Sequence, residues 1–299
     1  MRRFIIFTAL LLLPMLVIAE NFDTQEYGFK FLQIPVNPIS ASLGGNGIYA
    51  KSYAGAFILN PAANLLDERF SLSLQHCLWF EDTSCSQVVY SNGNRNKHFG
   101  LVARAMDYGE LENRDDTGTL IGHYRPLDAN IMVSFAYRLL PDHMLGANAG
   151  LLYEKLNTSS SYGLNADLGY VFLPPITNST FFASLRTIGI TSKMDEEDIM
   201  LPLTVETGLG YVYPSETYTI SSQIAMNKAS GSDVRFTVAT ELSLWQMLMV
   251  RFGYKVNYDE ENISTGLGIN WSNLDIDYSW TPFSDRLSDT HSFGITYNF

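Results

Sequence analysis

From Phe70 to its last residue the chain alternates apolar positions with polar or glycine positions. Val234, Phe236, Val238, Thr240 and Leu242 interleave with Asp233, Arg235, Thr237, Ala239 and Glu241. Leu248, Val250, Phe252, Tyr254 and Val256 interleave with Met249, Arg251, Gly253 and Lys255. Side chains two apart on an extended chain share a face, so each run predicts a strand with one apolar face and one polar or glycine-rich face. Fourteen runs are predicted: 69–80, 84–92, 97–107, 129–140, 143–156, 160–173, 180–190, 202–213, 216–227, 232–243, 247–258, 262–271, 273–281 and 289–299. Each is near the ~9–11 residues with which a tilted strand crosses a bilayer.

The connections alternate as well. Leu140-Pro141-Asp142, Tyr213-Pro214-Ser215 and Ser272-Asn273 are tight, whereas the intervening links are longer and acidic: Tyr108 to Asp128, Thr191 to Met200, Asp259-Glu260-Glu261 and Pro282 to Asp289. Short periplasmic turns and longer outer loops are the outer-membrane pattern. Charge placement separates a membrane barrel from a soluble sandwich, which also alternates. Arg104, Arg138, Arg186, Arg235, Arg251 and Lys255 all fall on the polar phase, with Glu154, Asp167, Glu206, Glu241, Asp275 and Asp277. A cation on the lipid face near mid-membrane would cost roughly 2–4 kcal/mol. The phase therefore predicts an all-β fold: a transmembrane antiparallel barrel of about 14 strands (residues 69–299), apolar outside, with these charges in the lumen.

Ahead of the strands, Met1-Arg2-Arg3 and the apolar stretch Phe4 to Ile18 lead to Val17-Ile18-Ala19, which reads as a signal peptide cleaved after Ala19. Pro14 and the shortness of the run disfavour a membrane anchor. At the other end, Phe293, Ile295, Tyr297 and Phe299 form an alternating apolar face that stops on an aromatic residue. This looks like the insertion signal that the barrel assembly machinery reads.

Composition narrows the function. The 299 residues are 46% hydrophobic, 13% aromatic and 17% charged, with a net charge of −12. That acidity argues against a nucleic-acid partner, which needs a basic stripe. The five histidines, His76, His98, His123, His143 and His291, make no metal pair at helical spacing, and no nucleophile elbow appears. No catalytic residues, metal or cofactor are expected. The acidic runs Asp195-Glu196-Glu197-Asp198 and Asn113 to Gly118 lack calcium-loop spacing and read as solvated outer loops. Cys77 and Cys85 flank the turn near Glu81-Asp82 with both phases toward the lumen. Pairing about that turn can set them opposite each other, so a disulfide is expected in an oxidising compartment, two adjacent thiols being the alternative.

Phe31-Leu32-Gln33-Ile34-Pro35-Val36, Ala41-Ser42-Leu43-Gly44-Gly45 and Asn60-Pro61-Ala62-Ala63-Asn64-Leu65 precede the first strand. With Met106 to Glu112, Thr117-Gly118-Thr119, Tyr153 to Leu156, Asp277 to Phe283 and Ser288 to His291, they resemble, in order, the PorV/PorQ family of outer-membrane barrels, which is similar to the FadL long-chain fatty-acid channel superfamily. Members usually read Asn-Pro-Ala-Gly-Leu, and here Ala63-Asn64 replace the glycine. The resemblance implies that segment 20–68 is a partly helical plug or hatch in the periplasmic mouth, with Asn60, Pro61 and Ala62 as its motif. It also implies type IX secretion, with secretion components or cargo C-terminal domains as partners beside outer-membrane lipid. The alternative is a FadL-like passive channel for small hydrophobic molecules.

Overall fold

The computed structural model describes residues 27–46, 53–66, 68–284 and 287–299; the expected signal peptide and its cleavage site lie outside them. Sixteen strands follow one another: β1 Ser71–Leu78, β2 Ser84–Gly93, β3 Lys97–Asp107, β4 Leu111–Arg114, β5 Leu120–Tyr124, β6 Leu127–Leu140, β7 His143–Leu156, β8 Ser159–Phe172, β9 Ser179–Thr191, β10 Thr204–Pro214, β11 Tyr218–Ala229, β12 Arg235–Leu244, β13 Leu248–Val256, β14 Ile263–Trp271, β15 Leu274–Thr281 and β16 Thr290–Asn298. Fourteen of them close into one antiparallel barrel in chain order, with β1 paired to β16; β4 and β5 form a separate hairpin in the outer loop between β3 and β6. Closure leaves no strand edge unpaired in hydrocarbon, the condition for a sheet to span a bilayer.

The alternation becomes burial. In β13, Met249, Arg251, Gly253 and Lys255 are buried, while Val250, Phe252, Tyr254 and Val256 are exposed. The exposed set continues around the barrel with Leu74, Ile131, Leu151, Leu164, Leu209, Ile224, Leu267 and Ile295. An apolar outer belt of this extent marks a lipid-facing surface, and the chain is a bacterial outer-membrane β-barrel. The seam is held by the ladder from Ser71↔Asn298 to Leu78↔His291. Below it, Phe299 N–H donates to Phe70 O at 2.9 Å, and the two rings stack 4.2 Å apart. The C-terminal aromatic thus closes the barrel, with Phe293, Ile295 and Tyr297 exposed on the outer face.

The described parts of the N-terminal segment lie in the outer as well as the periplasmic half of the lumen, which corrects the expectation of a plug confined to the periplasmic mouth. Gly28 N–H donates to Met200 O at 3.1 Å in the outer loop after β9, and Phe29 N–H donates to Glu154 Oε2 at 2.8 Å near the outer end of β7. Phe29, Phe31 and Val36 pack with Met106, Leu152 and Leu201. The chain then descends through a short helix, α1 Pro38–Ser42, to the cluster of Tyr53, Leu59, Ala62 and Leu65 in the periplasmic half. Asn37 caps α1 through Oδ1, accepting from Ile39 N–H at 2.8 Å, and Pro38 opens the helix where no N–H is needed. The Asn37 amide also donates to Ala54 O at 3.1 Å, tying the two stretches of the plug together.

Candidate functional site: the plugged lumen

Two walls grip the plug. On the first, α1 and the turn after it lie against β13 to β16. Gly44 N–H donates to Ser264 Oγ at 3.0 Å, and Ser264 Oγ donates to Ser42 O at 3.0 Å. Gly253 and Gly266 make the approach possible, because a Cβ at either would run into the backbone of Leu43 and Gly44 or the side chain of Ser42. On the second wall, the Asn60 amide donates to Tyr170 O at 3.2 Å and Ala183 O at 3.0 Å, while its Oδ1 accepts from Ala62 N–H at 2.9 Å. Asn60 is fully buried. One amide therefore satisfies two wall carbonyls and the plug's own turn, which a hydrophobic residue would leave unpaired. The motif expected at Asn60, Pro61 and Ala62 is thus an anchor between plug and barrel.

The predicted lumen charges separate into three groups. In the first, Arg251 bridges Glu241 and Asp277, each at 2.7 Å, all three with side chains under 5% exposed. A guanidinium between two carboxylates lets a buried cluster stay charged with its hydrogen bonds filled. The second group lines the open part of the lumen. Arg186 lies 3.3 Å from Glu206, and Arg104 Nε donates to Gln87 Oε1 at 2.9 Å. Arg235 and Lys255 both lie over the Tyr258 ring, at 4.6 and 5.1 Å from its centroid, and Lys255 pairs with Glu261 at 2.5 Å. The aromatic face and the loop acid relieve the like-charge repulsion that the strand phases set up.

The third group sits at the periplasmic rim and corrects the lumen expectation. Arg138 is partly exposed and donates to Arg95 O, Pro141 O and Leu65 O at 2.6, 2.8 and 3.1 Å, clamping two turns to the end of the plug. Asp275 pairs with Arg69 at 3.3 Å beside the β14–β15 turn. Both lie on the inward phase, but at strand ends the lumen gives way to the rim. Cys77 and Cys85 are directly opposite in register and buried, as their phases predict, yet they are free thiols. The expected disulfide is not formed in this structure. The register supplies proximity, and the thiols pack as small apolar side chains against Phe29, Phe31 and Met106.

Between plug and wall a cavity of about 590 Å³ runs inward from the outer loops. Trp79, Phe80, Tyr108 and Leu111 line its outer end, Phe31, Leu32, Ile34 and Val36 its plug side, and Ile58 and Leu59 its floor. Among the described residues its charged lining is five basic side chains, Lys30, Arg104, Arg186, Arg235 and Lys255, against two acidic ones, Glu81 and Glu261. In a chain of net charge −12 this is a local inversion of sign. Sequence reading placed four of these cations on the polar phase but missed Tyr258, Glu261 and Lys30. These come from a loop and from the plug, where no period marks orientation. Among the histidines, His98 Nε2 lies 2.8 Å from Ser91 Oγ and 3.2 Å from the Asn64 amide, a buried node fastening the plug to the wall.

No protein-family model matches the chain, and no curated protein sequence matches it. Solved structures do resemble it in fold. The CymD monoaromatic hydrocarbon channel superposes with a TM-score of 0.65 at 13% identity, over 88% of this chain and 97% of that one. The toluene transporter TodX of Pseudomonas putida gives 0.60 at 12% identity, over 93% and 98%. A FadL homologue of Pseudomonas aeruginosa gives 0.54 at 10% identity, over 88% and 98%. The fold is that of the FadL-like outer-membrane barrels.

Proposed function

We propose that the protein is a passive outer-membrane channel for small hydrophobic molecules, and that it favours those with an anionic or hydrogen-bond-accepting end. The observation that carries this reading is the cavity above the plug. Its volume of about 590 Å³ falls within the ~300–1,000 Å³ range of small-molecule sites. Aromatic and aliphatic side chains at the outer end take the apolar body, and the five cations around the middle attract the polar end. A solute entering between Trp79 and Tyr108 meets the plug at Ile58 and Leu59, so passage requires the plug to shift. The three hydrocarbon-channel and FadL-type barrels with the same fold support this reading better than type IX secretion.

The test is uptake by proteoliposomes. Flux of toluene and of a medium-chain fatty acid is expected above that of protein-free vesicles. Arg104→Gln with Arg235→Gln should lower fatty-acid flux several-fold and spare toluene. Flux no greater than in empty vesicles for both solutes overturns the channel reading, and equal loss of both in the double variant overturns the role of the cations. Recovery of type IX components with the solubilised barrel would favour the secretion reading instead.

A further inference from the structure

A second concavity lies outside the lumen. It is a groove of about 1420 Å³ spanning β2, β3 and β6 to β11, lined almost wholly by apolar atoms. The strands beneath it stay paired from Phe99↔Phe135 through Tyr137↔Leu145, Ala147↔Leu168 and Tyr170↔Ala183 to Thr207↔Met226, with one register shift between Ala166 and Leu168 in the β8–β9 ladder. No passage leads through the wall there. The side chains that line it, including Phe135, Leu145, Leu168 and Leu185, are on the outward phase, so the groove lies on the surface that faces the bilayer.

The plug meets the same stretch of wall from the inside. Gly146 and Gly169 press against Asn60 and Pro61 so closely that a Cβ on either would collide with them. Asn60 holds the wall there by its two carbonyl bonds. On the outer side of the same wall the short side chains Ala147 and Ala183 form the floor. Phe181 points outward yet is only 7% exposed, while Leu168, which pairs with Leu185 further along the groove, is 53% exposed. At the end nearest the β2–β3 turn the lining changes to Asn92, Asn94 and the exposed Lys97. That turn is on the short-turn, periplasmic side, at the level where lipid headgroups begin.

We infer that this groove is a binding site for a phospholipid of the periplasmic leaflet, with acyl chains over Ala147 and Ala183 and the phosphate at Lys97, Asn94 and Asn92. An apolar trough ending in a cation and two amides at the membrane surface matches an amphiphile with an anionic head. A basic group at the interface is the usual means of holding such a head. The site lies on the outside of the wall, and it takes no part in passage through the lumen.

The full-length barrel, extracted in mild detergent and titrated with phosphatidylglycerol, is examined by native mass spectrometry. One lipid should persist at collision energies that strip the rest. Ala183→Trp and, independently, Ala147→Trp fill the floor and should abolish that retention. Leu267→Trp, elsewhere on the apolar belt, should leave it unchanged. Lys97→Gln, outside the hydrocarbon, should weaken it roughly fivefold. Heat-modifiable migration on gels confirms which variants are folded. Folded Ala183→Trp or Ala147→Trp protein that retains lipid as the wild type does would overturn the site. So would a wild-type barrel whose groove is covered by a second copy, seen as a dimer dissociated by Ala183→Trp.

Discussion

The two walls that hold the plug do so by different physics. At the periplasmic ends of β7 to β9 the contact is neutral: Asn60 satisfies backbone carbonyls, and glycine lets the wall come in to meet Pro61. Around β12 to β15 the plug rests beside a buried charge cluster, Glu241–Arg251–Asp277, with only a small void of about 40 Å³ between them. The neutral anchor depends on shape and fails locally when its amide is lost. The charged wall depends on all three partners together, since removing one strands the others in a medium that penalises unpaired charge. The plug can therefore be loosened without opening the barrel on one side only.

The largest expected effect comes from the charged wall. Arg251→Met leaves Glu241 and Asp277 buried without a counter-ion and should cost about 3–5 kcal/mol of barrel stability, read from the urea midpoint in detergent micelles. Replacing all three residues by apolar ones should restore most of that loss. Near-wild-type stability for the single variant would remove the contrast between the walls. Next comes Asn60→Ala, which leaves wall carbonyls unsatisfied at a cost of about 1–3 kcal/mol. Here the barrel should keep its unfolding midpoint, while hydrogen exchange rises across 53–66 and bilayer conductance increases.

The seam makes a third, milder case. Deleting Phe299 removes an aromatic stack of the kind worth about 0.5–1.5 kcal/mol and one backbone bond. Folded yield in the outer membrane should fall, and an unchanged yield would end its role in assembly. The smallest effect belongs to the β4–β5 hairpin, remote from both walls. The hydroxyl of Thr117 and the amides of Thr119 and Thr117 hold the Asp115 carboxyl below its usual range. The hairpin tip should keep its order above the ordinary carboxylate pKa and lose it as pH falls through the lowered one. Amide exchange at 115–119 should show that acid-side loosening, and Asp115→Asn should abolish the dependence.

The barrel was almost wholly legible from alternation. Runs 97–107 and 143–156 coincide with β3 and β7, and the other barrel strands shift by no more than three residues at either end. A period of two with one face in lipid leaves little freedom of register. Leu111–Arg114 and Leu120–Tyr124 were missed because Leu-Glu-Asn-Arg has no apolar face to bury, and these strands pair in solvent. The plug was legible as a motif but not as a path. Phe29 and Asn60 take their positions from contacts with strands more than a hundred residues away, and no local signal encodes those distances. The same holds for the outer groove, whose lining is drawn from eight strands that only barrel closure brings side by side.

The threading of the first described segment has a consequence for biogenesis. Tyr27 lies at the outer rim and Ser71 starts the strand that pairs with β16, so the described parts of the segment sit inside a sheet whose two ends are joined to each other. Like a cork set before the hoop is tightened, it has to be inside the curling sheet when Phe299 arrives. Closing the β1–β16 seam therefore encloses the stopper on all sides.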